Sequence, residues 1–141
     1  MSQMEPAFTI FDHTADVGVV ARGATLEESF ANAALATFSV MTDLSAVRPL
    51  LRQNVTVDGT DLEDLLVGWL NELLYISTVD QVLFSRFDVS RVTPNRVEAV
   101  AMGEHMDPAR HRLLTEIKAA TYHRVKVEHD GEWRAHVILD L

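Results

Sequence analysis

Two spacings divide this chain. Apolar side chains recur every three or four residues at Leu26, Phe30, Ala33, Ala34, Phe38 and Met41, and again at Leu62, Leu65, Leu66, Trp69, Leu70, Leu73 and Leu74. That recurrence gathers each set on one face of a helix. Both runs open on capping sequences: Thr25-Leu26-Glu27-Glu28 is a capping box, and Asp61-Leu62-Glu63-Asp64 starts the second run in the same way. The likeness of Leu26-Glu27-Glu28 to Leu62-Glu63-Asp64 has its ordinary reading in capping sequences that recur by chance, with a faint trace of duplication as the weaker alternative. Asp43 to Pro49 ends the first helix.

Elsewhere β-branched and aromatic residues set the rhythm. Residues 7–12 and Val17 to Ala21 read as strands, with His13-Thr14-Ala15-Asp16 at their junction, and Gln53 to Val57 as a third closed by a turn at Asp58-Gly59. The second half is rich in strands. Val82 to Val92 turns at Pro94-Asn95 into Val97 to Gly103, and after a polar loop Ile117 to Glu128 turns at Asp130-Gly131 into Trp133 to Leu141. The expected fold is α+β, two amphipathic helices packed on one face of a mainly antiparallel β-sheet. No linker or low-complexity tract divides residues 1–141, which read as a single domain.

Composition narrows the chemistry. With no cysteine among 141 residues, disulfides, thiolate metal sites and cysteine nucleophiles are out. No apolar run approaches the roughly 18 residues of a membrane span, and the start lacks the pattern of a secretion signal, so a cytoplasmic protein without membrane contact is expected. A formal charge of −9 argues against autonomous nucleic-acid binding and suits a basic partner or a metal. There is no phosphate-binding glycine loop, no nucleophile elbow and no His pair spaced for a helix face, which disfavours a self-contained enzyme.

Three stretches carry candidate chemistry. Asp12 and Asp16 bracket His13 and Thr14; two neighbouring carboxylates repel unless a cation or a lysine lies between them, although for an isolated pair turn chemistry with local amides is the ordinary reading. At the other end, strand alternation puts Ala135, Val137, Leu139 and Leu141 on one face and Arg134, His136, Ile138 and Asp140 on the other. A terminus anchored in the sheet fixes the Asp140 carboxylate beside the terminal one, and such hard oxygens suit Ca²⁺ or Mg²⁺, whereas a solvated tail would hold nothing. In Ile117-Lys118-Ala119-Ala120-Thr121-Tyr122-His123, alternation sets Lys118, Ala120 and Tyr122 on one side, and Thr121 and His123 on the other with Ile117, Val125 and Val127. His123 there has the ordinary reading of a hydrogen-bonded core histidine, and Gly103-Glu104 with Asp107 and His111 reads as a polar loop.

Taken in order, these pieces resemble the archease family. The resemblance rests on His13-Thr14-Ala15-Asp16, Thr25-Leu26-Glu27-Glu28, Asp61 to Leu66, Trp69 to Leu74, Gly103-Glu104, Lys118 to His123 and Asp140-Leu141. Archeases assist the GTP- and metal-dependent RNA ligase of tRNA splicing, promoting its guanylylation and multiple turnover and relaxing its nucleotide choice. The resemblance therefore implies a non-enzymatic activator, partnered by that ligase and meeting GTP or RNA only through it. It also implies a divalent cation, Ca²⁺ first with Mg²⁺ or Mn²⁺ as alternatives, held by Asp16, Asp140 and the main-chain oxygens of Leu141. Lys118 is expected beside that pocket, with His13 and His123 as further candidates. Leu141 stands where the family commonly has Ile, and His105 where Pro is expected.

Two other classes compete. A stand-alone metal-dependent phosphohydrolase would use Asp16, Asp140 and His13. A chaperone-like binding module would present Phe30 and Phe38, or Trp69 and Leu73, as its surface, where their helical spacing reads as core.

Overall fold

The computed structural model describes residues 6–12 and 15–141. Strands β1 (Phe8–Asp12) and β2 (Asp16–Gly23) lead into helix α1 (Leu26–Met41), a 3₁₀ turn at Leu44–Ala46 and strand β3 (Leu51–Asp58). Helix α2 (Leu62–Asp80) follows, then the strands β4 (Val82–Thr93), β5 (Arg96–His105), β6 (Ala119–His129) and β7 (Trp133–Asp140). The caps form as their sequences dictate. Thr25 accepts from the Glu28 amide at 3.1 Å, and Asp61 from the Asp64 amide at 2.8 Å, satisfying amides that have no partner within the helix. No helix among the described residues is long and apolar enough to cross a membrane.

The α+β class holds, but the strands divide between two antiparallel sheets instead of one. One has the order β1-β2-β7-β6 and the other β3-β5-β4. Alternation specifies which face of a strand is apolar, not which strand lies beside it, so the partition had no local signal. Each helix touches both sheets: α1 lies against β2, β7 and β4, and α2 against β6, β3 and β4. No residue of α1 beyond Glu28 is exposed. Phe30, Phe38, Trp69 and Leu73 are fully buried, and the Trp69 indole donates to the Phe30 carbonyl at 2.9 Å.

The topology repeats a unit of strand, helix and hairpin. One copy is β2, α1 and the hairpin β6–β7; the other is β3, α2 and the hairpin β4–β5, inserted within the first. Gly23-Ala24-Thr25-Leu26-Glu27-Glu28 aligns without a gap on Gly59-Thr60-Asp61-Leu62-Glu63-Asp64. The registers agree as well: Ala21 pairs with Ala135 as Val57 does with Val97, and Val19 with Val137 as Val55 does with Ala99. The copies also exchange the same contact. The Glu27 carboxylate at the start of α1 accepts from the Val92 amide of β4 at 2.9 Å, and that of Glu63 at the start of α2 accepts from the Val127 amide of β6 at 2.8 Å. The likeness of the two helix openings thus extends to connectivity and register.

Candidate metal centre

Antiparallel pairing brings the two ends of the described chain together. Asp16 and Asp140 are directly opposed across β2 and β7. Opposed residues share a face with Cβ atoms about 5 Å apart. Because Val17, Val19, Val137 and Leu139 point into the core, both carboxylates lie on the outer face of the four-stranded sheet. The tail is tied down around them. The Leu141 amide donates to the Ala15 carbonyl at 3.1 Å, the Lys118 amide donates to the Asp140 carbonyl at 2.8 Å, and Leu141 packs against the core. On β6, the Asn71 side chain of α2 exchanges two hydrogen bonds with Ala120, at 2.8 and 3.1 Å, which fixes the residue next to Ala119, the neighbour of Asp140.

Asp16 is only partly exposed, and its Oδ1 is a buried acceptor without a hydrogen-bond partner among the described residues. An orphaned carboxylate oxygen facing a second carboxylate calls for a cation. No group of three His, Asp or Glu side chains that could hold a metal occurs among the described residues; besides the two carboxylates, the main chain of Leu141, tied to Ala15, offers oxygens next to the rung. This all-oxygen set fits a hard divalent ion.

The other candidates scatter. His13 and Thr14 lie outside the described residues, and Asp12 is seen only through its main chain, which pairs with Val17. Lys118 meets Asp140 through its amide, while its side chain lines a different groove with Asn71, Tyr75 and Thr78 of α2. His123 is exposed, not a core residue. Between the rungs Thr121–Ile138 and Lys126–His136, β6 spends five residues where β7 spends two, so the simple alternation across 117–127 fails. Arg124 in this bulge has φ 56°, a left-handed conformation in a non-glycine residue.

The supposed polar loop at Gly103-Glu104 is strand β5, and the buried Glu104 is the centre of an ionic knot whose arginines reach the surface. Its carboxylate accepts from the Arg48 amide at 2.6 Å, lies 3.4 Å from the Arg48 guanidinium and 3.3 Å from His111 Nε2, and pairs with Arg110. The Arg48 amide does most to hold the carboxyl down at about 2, with help from the Arg48 side chain, His111 and Arg110 and against the opposing effect of burial. The Asp107 amide donates to His111 Nδ1 at 2.8 Å, so the neutral ring carries its proton on Nε2, toward Glu104. Arg48, Glu104, Arg110 and His111 have no motif spacing, and the knot had no signal in the sequence.

Comparison with known proteins agrees with the resemblance. Residues 8–141 match the Archease protein family (MTH1598/TM1083). Protein archease of Sulfurisphaera tokodaii is 45% identical over 127 residues, covering 89% of this chain and 91% of its own. That of Methanosarcina mazei is 41% identical over 139 residues, covering 95% of each. The solution structure of Methanobacterium thermoautotrophicum protein 1598 superposes with a TM-score of 0.82 at 42% identity, over 96% of this chain and 99% of that one. A Thermotoga maritima archease, described as a possible chaperone, shares the fold with a TM-score of 0.63 at 19% identity over 100% of this chain and 99% of its own.

Proposed function

This chain belongs to the archease family, and from that premise we propose that it is a metal-binding accessory protein that activates the GTP-dependent RNA ligase of tRNA splicing. In this reading it promotes guanylylation of the ligase and supports repeated turnover, and carries no catalytic residue of its own. The observation that supports it most is the Asp16–Asp140 rung, with its orphaned Asp16 oxygen beside a tethered C-terminus.

Asp16, Asp140 and the terminal oxygens of Leu141 would hold the ion, Ca²⁺ in the first instance, with Mg²⁺ or Mn²⁺ as alternatives. A bound divalent cation supplies positive charge for phosphate oxygens. The protein's own residues do the positioning. The two strands set the carboxylates on one face, the Ala15 carbonyl holds the end of the chain, and the Asn71–Ala120 pair stiffens the edge beside them. Phosphoryl transfer is governed by positioning and charge stabilisation, so a docked protein without a nucleophile can accelerate a reaction whose nucleophile belongs to the ligase.

Ligase guanylylation with GTP, with and without this protein, tests the proposal. Asp16→Ala and Asp140→Ala are expected to abolish the stimulation while the fold, followed by circular dichroism, persists. Undiminished stimulation by either folded variant would sink it.

A further inference from the structure

The outer face of the four-stranded sheet holds a second feature, two rungs from the carboxylates. Gly18 of β2 lies opposite Ile138 of β7, two residues along from the Asp16–Asp140 rung and so about 7 Å away. A side chain on Gly18 would meet Phe11 and Ile138 at 3.5 Å, so the missing Cβ lets both lean over the strand. Phe11 nonetheless keeps 51% of its surface exposed, a large fraction for a phenylalanine. Beside it opens a trough of about 210 Å³, lined by Phe11, Gly18, Val20, Arg124, His136 and Ile138 among others. Phe11 stands on β1 and Arg124 on β6, at opposite edges of the sheet and three strand spacings, about 14 Å, apart.

The bulge that raises Arg124 is held from both sides. Before it, the Tyr122 hydroxyl donates to Asp64 at 2.6 Å; after it, the Val127 amide donates to Glu63 at 2.8 Å. Both carboxylates belong to the first turn of α2. Within the bulge, Arg124 is exposed on its left-handed backbone, and its guanidinium makes no ion pair with a described residue. The neighbouring cations differ. Lys126 and His136 both reach Glu128, at 2.9 and 3.0 Å. A strained residue with an unused charge at the wall of a cavity is where function is to be sought.

An open aromatic face, an apolar floor and one uncommitted guanidinium select a ligand with a flat ring and an anionic group. We propose that this trough binds a mononucleotide, its base against Phe11 and its phosphate on Arg124. The open trough seats part of one nucleotide and leaves the rest in solvent, with no room for a strand, and a chain of net charge −9 repels a polyanion. The choice of guanine as the base rests on the function proposed above; the ring-and-anion chemistry does not.

The test titrates the intact protein, in EDTA, with GMP and separately with guanosine, inorganic phosphate and a short 5′-phosphorylated oligoribonucleotide, following amide shifts by NMR. Saturable shifts with GMP at Phe11, Gly18, Val20 and Ile138 are expected, with guanosine and phosphate each at least tenfold weaker. Two variants keep the fold. Phe11→Leu still covers Gly18 but removes the ring, and Arg124→Asn tolerates the left-handed backbone while removing the charge. Each should weaken GMP at least tenfold. No saturable GMP binding, binding unchanged in both variants, or tighter binding of the oligonucleotide would overturn the proposal. So would loss of ligase stimulation in Arg124→Asn when the wild type binds no GMP, which would make this face a protein-docking surface. Calcium titration of the same samples reports on the cation reading separately, because the GMP experiment is run without metal.

Discussion

The two copies of the strand–helix–hairpin unit differ most where their outer faces reach the same end. In the first copy the last paired rung is Asp16–Asp140, and the next residue, Leu141, is the end of the chain. The equivalent rung of the second copy is Arg52–Met102, where the Arg52 guanidinium lies 3.9 Å from the Met102 sulfur. The residue after it is Gly103, and the chain runs on through Glu104 into the knot with Arg48, Arg110 and His111. One scaffold thus carries two opposed carboxylates without an ion pair among the described residues on one side and a self-neutralised cluster on the other. Matching backbone registers leave the side chains at the ends of the strands free to diverge.

The largest effect is expected at Gly103. A Cβ there would lie 1.8 Å from the Leu83 carbonyl oxygen, so Gly103→Ala must force β4 and β5 apart, at a cost of at least about 3 kcal/mol in denaturant unfolding. Leu141→Ala, at the matching position of the first copy, should cost only about 1 kcal/mol, since Leu141 is only partly buried against the edge of the core.

Acid should separate the copies next. The Glu104 carboxyl titrates at about 2 in the folded protein against a usual 4.5, so its contribution to stability is full above pH 4.5 and is lost as pH falls toward 2. Glu104→Gln is expected to lower the melting temperature at pH 7 and to flatten its decline between pH 5 and 2. An acid limb as steep as the wild type's would show that the knot is not the acid-sensitive element.

The exchanged carboxylates test whether the likeness is energetic as well as geometric. Glu27→Ala leaves the Val92 amide without its acceptor, and Glu63→Ala does the same to Val127. Each should cost about 1–2 kcal/mol, and the two values should agree within about 0.5 kcal/mol. A disparity of several-fold would confine the symmetry to the backbone.

The smallest effect is at the acidic rung. Like charges directly opposed across strands destabilise, so in EDTA Asp140→Asn should be more stable than the wild type by about 0.2–1 kcal/mol. Calcium should raise the melting temperature of the wild type and not of the variant. A variant less stable than the wild type in EDTA would mean that the rung needs no cation.

Much of this was legible locally. The caps at Thr25 and Asp61 were fixed by hydroxyl and carboxylate groups placed beside free amides, and the helix faces by the spacing of Phe30, Phe38, Trp69 and Leu73. The anchored terminal strand was legible too, because alternation from Trp133 to Leu141 leaves one continuous apolar face. The bulge at 122–125 was not: three extra residues change which way every later side chain points, and the bonds that flank them run to Glu63 and Asp64, 58 or more positions away. The Glu104 knot escaped for the same reason, since Arg48 reaches it across 56 residues.

The amino-acid order by itself therefore determined the elements, their caps and buried faces, and the family to which they belong, since each depends on neighbours within a turn or two. Only the tertiary structure decided that the strands form two sheets, that Asp16 meets Asp140, and that Arg124 stands over a trough with Phe11. Those depend on which distant strands share hydrogen bonds, a choice made by the free energy of the whole packed core rather than by any one segment.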